Sequence, residues 1–456
     1  MRPLLALLLA GSAALPSPAL AQPADLATVQ EQLAAMQAEI ARLTAQVAEL
    51  KAREVAREAA PAPVTAAAAA TPAPATPAAA PAPAIAWKGA PEMTAPGGWS
   101  FKPRGRLQLD SAVVDAPSGA GNGLGTGTEF RRVYMGFDGT LPGGFGYRVE
   151  ADLANSSVEL TDVYLTYKAS KEVTLTVGQH KPFWGLEEMT SDLFTSMMER
   201  AAFNSAFGFE RRVGVSGTYS GKNLIVQLGV FADNAADLNA DRNNSNSVDG
   251  RVVFSPEVAG GTLHLGGSAH FRDFNDAANT SRYRARPFVH TTDVRLVDTG
   301  LFSASGERSF GAELAYVAGP FHATAEGHRI TSLRPGLPDP TFWGGYVELG
   351  MLVTPGDKTA YRGGAYDRIR PAHPITAGGI GAIQLNARYD RIDLTDGTIV
   401  GGVQQAVGLS AIWIPTDYVR FLVNYGHLWI DDPAVPAWTD PDVQADTVGV
   451  RAQVDF

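Results

Sequence analysis

The chain has 456 residues, of which 45% are apolar and only 18% charged, with 48 Gly and 30 Pro. It contains no Cys, which excludes a disulfide framework, a thiolate zinc site and a thiol nucleophile. A net charge of −10 argues against a nucleic-acid partner, and after residue 15 no run of 18 apolar residues is present to form a membrane-spanning helix.

The first segment reads as an address. Arg2 precedes a short apolar run, Leu4 to Leu15, and Ala19-Leu20-Ala21 has the small-x-small form of a secretory cleavage site. Residues 1–21 are therefore expected to be a signal peptide; the alternative, a membrane anchor, needs a longer apolar run. Over residues 22–58 apolar side chains fall at Leu26, Val29, Leu33, Met36, Ile40, Leu43, Val47 and Leu50, alternating steps of three and four. That heptad predicts a coiled-coil oligomerisation helix, with a helix packed on its own protein as the alternative. Residues 59–98 are rich in Ala and Pro, which favours an extended, semi-rigid linker.

From Trp99 to Phe456 the apolar period is two. Phe145, Tyr147, Val149, Ala151 and Leu153 alternate with Arg148, Glu150 and Asp152. Val448, Val450, Ala452, Val454 and Phe456 alternate with Thr447, Arg451, Gln453 and Asp455. An apolar face backed by a charged face predicts strands with lipid on one side and a polar lumen on the other. Sixteen such stretches are expected, near 99–115, 129–141, 145–153, 158–168, 173–181, 211–219, 224–233, 250–256, 262–272, 310–317, 321–331, 342–352, 381–395, 404–414, 419–430 and 447–456. Tight turns, such as Pro142-Gly143-Gly144, alternate with long connections at 182–210, 234–249, 273–309 and 431–446. That alternation belongs to an outer-membrane barrel, and a soluble sandwich has no reason for it. The predicted fold is thus all-β, a 16-stranded antiparallel transmembrane β-barrel over 99–456 enclosing an aqueous channel, preceded by the coiled-coil helix and the Ala/Pro linker. One connection breaks the rule: residues 353–380 should be a short turn, yet they number 28 and carry Arg362, Arg368 and Arg370. Trp99, Trp343, Trp413 and Trp429 lie near strand ends, where aromatic girdles sit.

Three separated stretches carry a resemblance. They are Gly178-Gln179-His180-Lys181-Pro182-Phe183 leading to Met198-Glu199-Arg200; Arg282-Tyr283-Arg284-Ala285-Arg286-Pro287; and Tyr366-Asp367-Arg368-Ile369-Arg370-Pro371. Over residues 99–456 the chain resembles the phosphate-selective porin O and P family. The resemblance implies a homotrimer of 16-stranded barrels in which the loop after strand five, the loop after strand nine and the long turn narrow the pore.

A pore replaces an ion's hydration with donors at a constriction. Arg suits phosphate because its planar fork meets two oxygens. The leading anion-binding candidates are Arg282, Arg284 and Arg286, which share one side if the stretch is extended; the bland alternative is a solvated charge run. Lys181, Arg211 and Arg212 flank the loop after strand five, Arg148 has lumen parity, and Arg362, Arg368 and Arg370 sit in the long turn. Against this stands a barrel with 31 basic and 40 acidic residues, and only eight Lys in the whole chain, where the family's phosphate site uses a lysine cluster. Asp237-x-Asn239-x-Asp241 opens like a calcium loop but has Arg242 where Gly is needed and Val248 where Glu is needed. No metal site, cofactor or catalytic constellation is expected.

The function expected is passive diffusion of anions, phosphate or polyphosphate, across the outer membrane of a Gram-negative-type cell, with membrane lipid as the surrounding partner. The alternative is a weakly selective pore for other small solutes, its coiled coil acting as a cell-wall tether. An outer-membrane enzyme would need a coupled nucleophile and base on one rim, and no such pair is spaced in the sequence.

Overall fold

The computed structural model describes Arg42, Ala45 and residues 83–119, 124–238, 245–275 and 280–456. The signal-peptide and coiled-coil expectations lie outside the described residues. So does most of the linker, and the calcium-like stretch is only partly within them.

Among the described residues, sixteen long strands follow one another around a closed antiparallel barrel. They are β1 (Trp99–Asp115), β2 (Gly125–Leu141), β3 (Phe145–Asp152), β4 (Glu159–Lys168), β5 (Val173–His180), β6 (Arg212–Ser220), β7 (Leu224–Phe231) and β8 (Asn246–Phe254). The circuit continues with β9 (Gly261–Asp273), β10 (Gly306–Ala318), β11 (Phe321–Leu333), β12 (Thr341–Leu352), β13 (Ala382–Asp396), β14 (Ile399–Thr416), β15 (Val419–Asp431) and β16 (Asp442–Asp455). Closure is made by β16 against β1, in register from Asp446↔Asp115 to Asp455↔Arg106. Phe456 extends it by exchanging two backbone hydrogen bonds with Gly105, at 3.0 and 3.1 Å. A closed ladder leaves no unpaired edge in a medium that cannot hydrogen-bond.

Period two decides which face each side chain takes. In β16, Val448, Val450, Val454 and Phe456 are exposed on the outer surface, while Thr447, Arg451, Gln453 and Asp455 are buried inside. Trp99 and Trp413 lie exposed toward the short-turn rim, and Trp343 and Trp429 toward the long-loop rim, as two girdles require.

The structure differs from the sequence expectation in two places. Residues 84–95, expected to continue the linker, form a hairpin, Ala84–Lys88 with Ala90–Ala95, whose second strand pairs with the start of β1 at Met93↔Phe101. The lumen, expected to be an aqueous channel narrowed by inward loops, is packed along much of its wall. Met197, Ala201, Phe203, Phe207, Tyr283, Phe288 and Val297 from two inward loops meet Ile330, Phe342, Ile392, Leu394, Leu428 and Ile430 from the barrel in one apolar core. Glycine makes the room. A Cβ at Gly408 would stand 2.5 Å from the Phe288 ring, and one at Gly449 would stand 2.8 Å from Met198 Sδ.

Candidate functional site

The loop between β5 and β6 leaves the wall at a point the sequence prepares. Gly178 has φ +125°, and a Cβ there would come within 2.3 Å of the Val163 carbonyl oxygen, so only glycine lets β5 bend beside β4. Pro182 ends the ladder, and the chain turns inward through helices α1 (Leu186–Met189) and α2 (Ala202–Ala206). Gly185 sits so close to the wall that a Cβ would lie 2.0 Å from Glu326 Oε1.

Loop carboxylates are then gripped by wall arginines. Glu187 accepts from Arg388 Nη2 at 2.5 Å, Asp192 accepts from Arg106 and forms an ion pair with Arg132 Nε at 2.6 Å, and Glu199 accepts from Arg131 Nε at 2.9 Å and Arg451 Nη2 at 3.0 Å. Glu188 pairs within the loop, with Lys181 at 2.8 Å and Arg200 at 3.4 Å. Each buried charge is matched, which is what keeps burial from becoming prohibitive. Burial pushes the Glu187 carboxyl up to about 7 against the pull of Arg388. Burial, then Arg200, brings the Lys181 ammonium down to about 8. Burial also raises Asp192, but Arg106 and Arg132 overcome it and hold that carboxyl well below the usual range.

Because the loops fill the side of the lumen along β11–β16, the open space is left along β1–β6. Of the three main cavities there, one of about 360 Å³ is lined by Asp152, Glu159 and Glu210 with Arg211 as its one cation, and in the other two the cations outnumber the acids. The larger, about 550 Å³, is lined by Lys102, Arg104, Arg106 and Arg148 of the wall, Lys181 and Arg211 at the loop's ends, and Arg362 and Arg368 of the long turn. Against these eight cations stand three side-chain carboxylates, Asp162, Asp192 and Asp455. The smaller, about 220 Å³, is lined by Arg131, Arg132, Arg200, Arg211 and Arg286, with Glu188, Asp192 and Glu199. Asp192 and Arg211 line both, so they stand where one cavity gives way to the next. The Arg211 guanidinium donates to Asp162 at 2.6 Å. Arg148 is less committed: its Nη1 is 3.7 Å from Asp162, its buried Nε has no hydrogen-bond partner, and it lies 5.7 Å above the Tyr164 ring. The Lys102 ammonium has no ion-pair partner among the described residues.

Acids elsewhere in the barrel are paired away from these two cavities, which reconciles an acidic chain with a local cation excess. The inward acids of β8–β12 are committed to neighbours in the packed region. Glu313 takes Arg251 at 2.6 Å and His264 at 2.9 Å, Asp249 takes His270 at 2.6 Å, and Glu348 takes Arg388 at 2.6 Å and His322 at 3.1 Å.

The sequence candidates divide. Lys181, Arg148, Arg362 and Arg368 line the larger cavity; Arg368 pairs with Asp455, and Arg362, largely exposed, reaches Asp367 at 3.0 Å. The loop after β9 does fold inward: Tyr283 bonds Glu307 at 2.8 Å, and Val289 packs on Ala112 and Val114. Its arginines share one side, but that side is the exposed one, opposite buried Tyr283 and Ala285. Arg282 is held bidentate by Asp298, Arg284 is exposed, and only Arg286 lines a cavity. Arg370, also exposed, pairs with Asp417 at 2.9 Å. Arg212 has lumen parity yet lines neither cavity; it is buried, 3.8 Å from Glu210.

The sequence candidates include Arg211, which lines both cation-rich cavities, but omit Arg104, Arg106, Arg131, Arg132 and Arg200. The Arg104-x-Arg106 pair carries a legible signal, since it shares the parity of Gln108 and Asp110. Arg131 and Arg132 are adjacent, so simple alternation sends one of them to lipid. The structure instead places a β-bulge there: Gln108 pairs with Arg132 and Leu109 with Phe130, leaving Arg131 as the extra residue, and both arginines line the smaller cavity.

A closed 16-stranded barrel with apolar outer face, two aromatic girdles and an inward loop beside charged cavities defines a channel of the outer membrane. The model of the family "Phosphate-selective porin O and P" matches residues 101–456, and the chain belongs to that family. It is 41% identical over 407 residues to an uncharacterised protein of Caulobacter vibrioides, covering 87% of this chain and 82% of that one. It is 26% identical over 382 residues to Porin O of Pseudomonas aeruginosa, covering 75% and 86%. Among solved structures it has the fold of OmpT, an outer membrane protein of Vibrio cholerae, at TM-score 0.51 and 12% identity over 78% of this chain and 98% of that one. It also matches the anion-selective porin from Comamonas acidovorans, at TM-score 0.50 and 13% identity over 78% and 100%.

Proposed function

We propose that the protein is a passive pore for small anions of the phosphate class and that it works as a homotrimer. The observation that carries the reading is the cation excess in two adjoining lumen cavities, which share Asp192 and Arg211, in a barrel whose overall charge is negative. A permeating anion meets guanidinium groups already fixed in place by buried carboxylates, so it loses hydration to preorganised donors without a reorganisation cost. The pairing also limits retention, because partly neutralised arginines attract without trapping. The family name and the anion-selective porin from Comamonas acidovorans point the same way, and a trimer form exists of the Vibrio cholerae barrel. The test is ion selectivity of the purified protein in planar bilayers under a potassium chloride gradient, followed by titration with inorganic phosphate. Anion preference, with chloride current reduced by phosphate, is the expected result; cation preference refutes the reading.

A further inference from the structure

The larger cavity is not lined by charge alone. Its barrel side supplies Lys102 and Arg148, the two cations least committed to protein partners. Its loop side supplies the apolar surfaces of Phe183, Met189 and Phe194, and Tyr164 joins them from β4. Met189 and Phe194 are only half-buried, so they present apolar surface to the cavity itself. A bare inorganic phosphate gains nothing from that side. It is hydrated all round, and moving along apolar surface strips water without returning a hydrogen bond. The volume of about 550 Å³ also lies in the range of organic-ligand sites and exceeds what one phosphate needs.

Resting on the anion-pore reading, we infer that this cavity is a binding station for small organic anions, an anionic head joined to an apolar body, and that it holds them ahead of inorganic phosphate. The head takes the Lys102 ammonium and the cavity-facing part of the Arg148 guanidinium, which is partly exposed and whose Nη1 is 3.7 Å from Asp162. The body lies on Met189 and Phe194, where burying apolar area is favourable. An anion so held keeps donors at one end and apolar contact at the other, which a symmetric inorganic ion cannot do.

The experiment compares phenyl phosphate with inorganic phosphate, both as dianions, as blockers of chloride current through the full-length protein in one bilayer. The salt-gradient potential is recorded first. Half-block by phenyl phosphate is expected at about tenfold lower concentration, the scale of burying roughly half a phenyl ring. Met189→Ser with Phe194→Ser should bring the ratio of the two half-block concentrations toward one. An anion-selective pore with equal half-block concentrations overturns the inference and leaves the anion reading standing. A cation-selective pore overturns both. The comparison on the unaltered protein stands even if the double variant does not assemble.

Discussion

Asp192 is the negative charge at the junction of the two cavities, and Asp192→Asn is the sharpest single perturbation of the passage. The carboxylate is shared by Arg106 and Arg132, and the backbone carbonyl of the same residue accepts from Gln108 Nε2 at 3.3 Å. An amide keeps an oxygen for one arginine and the backbone contact, so the loop stays seated through its other anchors. The local field gains one positive charge. At about 5 Å from a permeating ion in a water-like dielectric, that change favours an anion by about 0.8 kcal/mol and disfavours a cation by the same amount, or about sixteenfold in the anion-to-cation permeability ratio. A lower effective dielectric makes it larger. The assay is the zero-current potential in a potassium chloride gradient, with Asp237→Asn as the control. Asp237 lies exposed in the connection after β7, where salt screens it within about 8–10 Å. A rise in anion preference for Asp192→Asn alone is expected. An unchanged or reduced preference refutes the placement of Asp192 on the permeation path.

Lys181 is brought to about 8 by burial and Arg200, so its charge is lost as pH rises through that value, and anion preference should fall between about pH 7 and pH 9. Lys181→Arg should remove that step in the reversal-potential profile. Arg388→Ala leaves Glu187 and Glu348 buried without their cation and should destabilise the folded barrel by about 3–5 kcal/mol, read as a lower unfolding midpoint in detergent. Arg286→Ala should weaken anion preference, whereas Arg282→Ala, at an exposed residue that lines neither cavity and is screened by salt, should leave the reversal potential nearly unmoved.

Much of the barrel is legible in the sequence because lipid and lumen impose opposite chemistry on alternate residues, and each expected strand has its counterpart. Boundaries move where chemistry changes within a strand. β14 begins at Ile399, ahead of the expected 404, because Thr395 and Asp396 pair with Val400 and Ile399 across a Gly397 turn at φ +59°. The inward course of the loops is legible only through the family resemblance, since its anchors join residues far apart in the chain. Asp192 meets Arg106 across 86 positions, and Glu187 meets Arg388 across 201. The charge of the passage is illegible from totals. Both signs occur all round the wall and only their local balance at the cavities favours cations, and a bulge at Arg131 overrides the alternation on which the parity argument rests. Arg282 and Arg284 illustrate the converse: an arginine triplet is conspicuous in sequence, yet the buried face of its segment is Tyr283 and Ala285.

The central claim is that the arc from β1 to β6 carries the ions. Its most direct test is the zero-current potential of Arg148→Glu beside that of the unaltered protein in the same salt gradient. The account predicts an anion-side potential for the unaltered pore and a clear displacement toward the cation side for the variant. A cation-side potential in the unaltered pore, or no displacement on reversing Arg148, would contradict it.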